Sequence, residues 1–252
     1  MTAERVGTPL GRVVGALATH ERELRESASP WAAFAGTYRR TTEAVDAALD
    51  QGFFEDPQWV ARWDVAFAQL YLDALAAARS GGEPSRPWRL AFRASSSLPP
   101  LRHLLVGMNA HINADLPQAL LAVISEADFA DVALMESRRR DHERIDEILL
   151  SRVGAEDDEL GGRRSVLDRV LVPLNRAATG RFLREGRRKV WHNTRELHAA
   201  RLAGPQVYAA RLAELESLAA ARVQDLLAPG QVVLRLAVRG FGVALPARDP
   251  QR

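Results

Sequence analysis

The stretch Asp56-Pro57-Gln58-Trp59-Val60-Ala61-Arg62-Trp63-Asp64-Val65-Ala66-Phe67-Ala68-Gln69-Leu70-Tyr71 decides the fold class. Asp56 can cap a helix and Pro57 fits its first turn, where a missing N–H costs nothing. Val60, Trp63, Phe67, Leu70, Tyr71 and Ala74 then recur at spacings of three and four, one apolar stripe of a 3.6-residue period. The spacing predicts a helix over Pro57 to Arg79, stopped by Ser80-Gly81-Gly82.

Working outward, Thr8-Pro9 and Ser29-Pro30 repeat the capping pattern and predict helices over Pro9 to Glu26 and Pro30 to Asp50. Pro87 to Ser96 reads as a short helix carrying Trp88 and Phe92 on one face. Pro100 to Glu126 is apolar and continuous apart from Pro117, which cannot donate to the carbonyl of Asn113 and predicts a kink. Helices are expected over Asp128 to Arg152, Arg164 to Ala178, Arg181 to Leu202 and Pro205 to Ala228, with an acidic, glycine-containing loop over Val153 to Arg163 and a break at Gly180. Gln231 to Leu245 suits a strand or a last buried helix, and is read as helix. The expectation is an all-α single domain of about eight helices: an N-terminal group over 8–80, motif-bearing helices over 87–228 and a tail over 229–252.

Composition narrows the chemistry. The 252 residues include no cysteine, which excludes thiolate zinc sites, cysteine nucleophiles and thiol redox work. Of 34 basic residues only Lys189 is a lysine, and 32 acidic residues balance them, so a phosphate-backbone binder is disfavoured. Arginine, alanine and leucine dominate, as in the coding bias of a GC-rich genome. No run approaches the ~20 apolar residues that span a bilayer. Met1 to Arg12 lacks an export-signal pattern, so the expected location is the cytoplasm. Phosphate loops, His-Glu-x-x-His zinc motifs and nucleophile elbows are absent from the sequence. The five tryptophans sit at helical apolar positions, which points to core rather than to a ligand cage.

The chemistry concentrates in Gly107-Met108-Asn109-Ala110-His111-Ile112-Asn113-Ala114-Asp115-Leu116-Pro117. Four polar side chains interrupt an apolar helix, and burying them is costly unless each finds a partner. His111 and Asp115 stand one turn apart on one face, where both can ligate a divalent ion or the carboxylate can orient the imidazole. His142 and Asp146 repeat the spacing, as do His192 and Glu196, the latter in an arginine-dense run that reads as a solvated face.

The run Met108 to Pro117, with Pro87 to Phe92 upstream and Asp141 to Leu149 downstream, resembles an uncharacterised family of helical bacterial proteins, best known from actinobacteria, with an Ala-His-Ile-Asn-x-Asp-Leu core. The resemblance covers roughly residues 30–225 and implies no established activity. A weaker resemblance runs to the zinc-dependent phospholipase C and P1-type nuclease superfamily, through His111-x-x-x-Asp115-x-x-Gln118 and His142-x-x-x-Asp146. Ala119 stands where that pattern has proline, and Leu121 where it has histidine.

Two functions of different class follow. In the first, a metal-assisted hydrolase of an ester or phosphoester, His111 and Asp115 hold zinc or another divalent metal, and Asp141, His142 or Asp146 completes the set. The ion then lowers the pKa of a bound water, with Asn109, Asn113, Arg187 and Arg188 as substrate contacts. In the second, a non-enzymatic binding or structural module, a buried His/Asn/Asp hydrogen-bond network specifies helix packing, and a small-molecule ligand stays open. A third, an accessory protein recognised through the arginine-rich Arg181 to Arg201 helix, predicts salt-sensitive association with an acidic partner.

Overall fold

The computed structural model of the protein describes residues 7–159, 166–230 and 232–247. The capped prolines start helices where the sequence places them. In α1 (Pro9–Glu26), Thr8 Oγ1 accepts from the Gly11 N–H at 2.9 Å. In α3 (Pro57–Arg79), Asp56 Oδ1 accepts from the Trp59 N–H at 2.9 Å. Between them α2 (Ala32–Asp50) begins two residues later than the Ser29-Pro30 signal implies, because Ser29 makes no cap and its carbonyl instead accepts from the Ala32 N–H.

Next come α4 (Arg86–Phe92) and α5 (Pro100–Ala110), then a π-helical turn over His111–Asp115, α6 (Leu116–Val123), α7 (Glu126–Ala130) and α8 (Val132–Glu159). The last helices are α9 (Val166–Leu202), α10 (Pro205–Leu227) and α11 (Val232–Arg239). Among the described residues there is no strand, so the protein is all-α.

Four expectations need correction. The helix predicted from Asp128 starts earlier and divides at Asp131, because Ser125 and Asp128 close a capping box that makes α7 a separate turn. The loop predicted over Val153 to Arg163 is helical as far as Glu159, and residues 160–163 of it lie outside the described residues. One glycine costs a helix only about 1 kcal/mol, and neither Gly154 nor Gly180 breaks its helix. The helix predicted over Gln231 to Leu245 ends at Arg239; Gly240 then takes φ +71°, and the chain continues without helix to residue 247.

Packing buries two large apolar clusters. The first joins Leu17, Phe34, Tyr38, Tyr71, Trp88 and Val106 from α1 to α5 with Val223 and Leu226 of α10. The second joins Val45, Trp59, Trp63, Leu116, Leu120 and Ile145. A third, smaller one unites Leu121, Leu197, Leu215, Val243 and Leu245. Trp59, Trp63 and Trp88 are buried and Trp31 and Trp191 half-buried, which agrees with the core reading of the tryptophans. Helix α3 packs on α6, and α10 on α4 and α5, so the π-turn is enclosed by helices from both ends of the chain.

Candidate functional site

The site grows from Pro117. A proline has no N–H to give and its ring crowds the preceding turn, so a regular α-helix cannot run unbroken into it. The chain answers with a π-turn, in which the Leu116 N–H reaches back five residues to the His111 carbonyl. Single π-turns inside α-helices recur at functional sites, because the extra residue re-aims the side chains around it.

Here the turn brings His111 Nδ1 to 2.8 Å from Asp115 Oδ2, and the Trp88 indole donates to the same oxygen at 2.7 Å. All three residues are buried. Hydrogen positions are assigned from this network: with Asp115 Oδ2 as acceptor, Nδ1 carries the imidazole proton and Nε2 presents a lone pair. Burial pushes the His111 imidazole below its ordinary range, and the bond to Asp115 opposes that shift. The ring lies flat on Phe67, centroids 3.6 Å apart and planes 7° apart, with Tyr38 edge-on at 4.6 Å. Buried Nε2 has no hydrogen-bond partner.

His111 belongs to the wall of a cavity of about 160 Å³ where the first two apolar clusters meet. Phe34, Val60, Trp63 and Leu116 supply much of its apolar lining. Gly107 makes room for one of these walls, since a Cβ there would stand 2.6 Å from the Phe34 ring. The polar lining includes Asp64, Arg187, Thr37 and Thr41 besides His111. Asp64 Oδ2 is buried without a partner. Burial raises its carboxyl to about 7, helped by the Asp46 charge and opposed by Arg187.

The residues expected to complete a metal set are engaged separately. Asp141 accepts from the N–H groups of Glu55 and Asp56 at 2.8 Å each and pairs with Arg144 at 3.0 Å, fastening α8 to the start of α3. Asp146 is paired with Arg187 at 2.7 Å, and Arg187 also donates to the His142 carbonyl at 3.1 Å. His142 is wedged between Trp63 and Trp191, and burial, reinforced by Arg187, pushes its imidazole well below the ordinary range. Among the described residues no three His, Asp or Glu side chains come together in a way that could hold a metal ion.

Of the expected substrate contacts, Arg187 alone reaches the cavity; Arg188 is exposed on α9. Asn109 and Asn113 turn elsewhere. Both donate to the Phe241 carbonyl at 3.1 Å, and Asn113 Oδ1 accepts from the Val243 N–H at 3.1 Å. His192 bonds the Leu245 carbonyl at 2.8 Å, and Glu196 pairs with Arg211 at 2.6 Å.

The reading from sequence missed Asp64, Phe67 and Tyr38 as companions of His111, and it missed the 241–245 segment. Asp64 carried a signal, an acid inside an apolar stripe; Phe67 and Tyr38 carried none beyond helical spacing. A family described as a family of unknown function (DUF5995) matches residues 10–229. No curated protein and no solved structure matches the chain.

Proposed function

The chain belongs to this family of unknown function, and we propose that it is a helical binding protein for a small, mostly apolar molecule with one hydrogen-bond donor, held in the cavity beneath His111. The observation that carries the reading is the unpartnered, buried Nε2 of His111, a residue of an otherwise largely apolar cavity wall. A buried acceptor without a donor leaves about 1–3 kcal/mol unrealised, and a ligand hydroxyl or N–H recovers it. The volume of about 160 Å³ suits a benzene-sized group. The pairing of Nδ1 with Asp115 holds the ring so that Nε2 accepts without reorganisation. Asp64, with its carboxyl near neutrality, can offer a proton or accept one at the same cavity.

Phenol and benzene test this as a matched pair, followed by the fluorescence of cavity-lining Trp63 or by chemical shifts. Phenol is expected to bind roughly tenfold more tightly, the equivalent of one hydrogen bond of about 1.4 kcal/mol. His111→Leu should erase the difference. Equal binding of the two by the wild-type protein, or none by either, removes the reading.

Metal-assisted hydrolysis of an ester or phosphoester stands second. What supports it is that His111 and Asp64 line one cavity and that His111 Nε2 and Asp64 Oδ2 each keep a lone pair unpartnered, so zinc or another divalent ion there has two candidate ligands. Near-stoichiometric metal in purified protein, lost in His111→Ala and Asp64→Ala, carries this second reading. Metal-free protein whose folding midpoint ignores a chelator removes it.

A further inference from the structure

The 241–245 segment is held through its backbone, by side chains. Besides the contacts of Asn109 and Asn113, Asn193 Nδ2 donates to the Val243 carbonyl at 2.9 Å while its Oδ1 accepts from the Leu245 N–H at 2.8 Å. Lys189 Nζ donates to the Gly242 carbonyl at 3.1 Å, and His192 Nε2 donates to that of Leu245 at 2.8 Å. Asn113 and Asn193 thus each grip a C=O and the N–H two residues further on, as a residue of a neighbouring parallel strand would. The buried side chains alternate: Phe241, Val243 and Leu245 point into the protein, whereas Ala244 is exposed. At Gly242 the backbone touches α9 so closely that a Cβ would stand 2.9 Å from Gly186 Cα.

Amides that bind a main chain read conformation rather than sequence. Affinity in such clefts comes from main-chain bonds and specificity from pockets for alternate side chains, the logic of strand addition. The gripping residues, Asn109, Asn113, Lys189, His192 and Asn193, all lie within the family-matched residues 10–229, and the segment they hold lies beyond them. Gly240, at φ +71°, sits where α11 gives way to that segment and supplies a hinge.

We propose that this cleft between the π-turn and α9 is a peptide-binding site. Its ligand is an extended segment of a partner protein with apolar residues at alternate positions and glycine after the first, and residues 241–245 occupy the site in cis. The inference is independent of what the His111 cavity binds.

The probe is a synthetic peptide copying residues 239–247, and the absence of cysteine lets Ala244→Cys carry a single environment-sensitive dye on the full chain. A tethered segment competes at an effective concentration on the order of millimolar, so millimolar peptide is expected to displace it saturably. A peptide with its apolar residues shifted by one position should not. In full-length Val243→Asp/Leu245→Asp, where the cis segment no longer fits, the peptide is expected to bind at least about tenfold more tightly than to wild type, and adding Asn193→Leu should cost at least about tenfold through two lost hydrogen bonds. A double variant that keeps its helical circular dichroism yet shows no saturable binding overturns the proposal. Should that variant not fold, failure of about 10 mM peptide to displace the labelled segment overturns it. Exchange of the segment between two full chains without peptide binding overturns it as well, in favour of a second copy as the occupant.

Discussion

At Asp115 one oxygen serves two buried donors, the Trp88 indole and the His111 imidazole. Asp115→Ala strands both, and an unsatisfied buried donor costs about 1–3 kcal/mol, so a loss on the order of 2–5 kcal/mol is expected from urea denaturation. The His-x-x-x-Asp spacing made this pair legible, because i and i+4 neighbours on a helix meet by geometry alone. The third member was not legible: Trp88 reaches Asp115 across 27 residues, and an indole N–H announces no partner in sequence.

Among the elements, two carboxylates tie α8 to the entry of α3: Glu55, which accepts from Ser137 and Arg140, and the buried Asp141. Asp141 satisfies the N–H groups of Glu55 and of Asp56, the residue that caps α3. Asp141→Asn keeps the shape but replaces one acceptor with a donor, and is expected to cost about 2 kcal/mol while leaving the phenol preference at His111 unchanged. Loss of that preference would show instead that Asp141 acts on the cavity. Helix starts at Pro9 and Pro57 were readable because a cap and a first-turn proline are local signals, and at Pro205 the proline served without a side-chain cap. The 241–245 segment was not, although Phe241, Val243 and Leu245 do alternate. Its hydrogen bonds go to side chains 50 to 132 positions away, and no local pattern encodes partners at that range.

Across the whole molecule, buried ionisable groups set a pH profile. Burial holds His20 at about 4, with the Arg79 charge reinforcing it, and lowers His111 and His142 too. Their unfolded counterparts titrate near 6.5, so below that pH the unfolded chain takes up protons the folded one refuses, and stability is lost as pH falls. Asp64 works the other way. Its carboxyl, raised to about 7 by burial, favours the folded state when protonated, a contribution present below pH 3.8 and lost as pH rises through about 7. The lowered imidazoles, His103 and His198 among them, outnumber the raised carboxyls of Asp64, Asp146 and Glu216, so a net loss of stability is expected as pH falls from roughly 6.5 to 5, measurable as a falling urea midpoint. Asp64→Asn should raise the midpoint at pH 8 and change it little near pH 4. The all-α class was legible because helical periodicity repeats along the chain; the cavity was not, since it exists only where two clusters from distant helices meet.

Lys189 is the one lysine among 34 basic residues, and its Nζ holds the Gly242 carbonyl while pairing with Glu185 at 2.5 Å. Apart from the α-amine, the chain therefore offers acylating reagents a single address, and that address, half-buried, lies against residue 242. Acetylation there removes the charge on Nζ and weakens its hold on the Gly242 carbonyl, so one amine label loosens the 241–245 segment at one defined point.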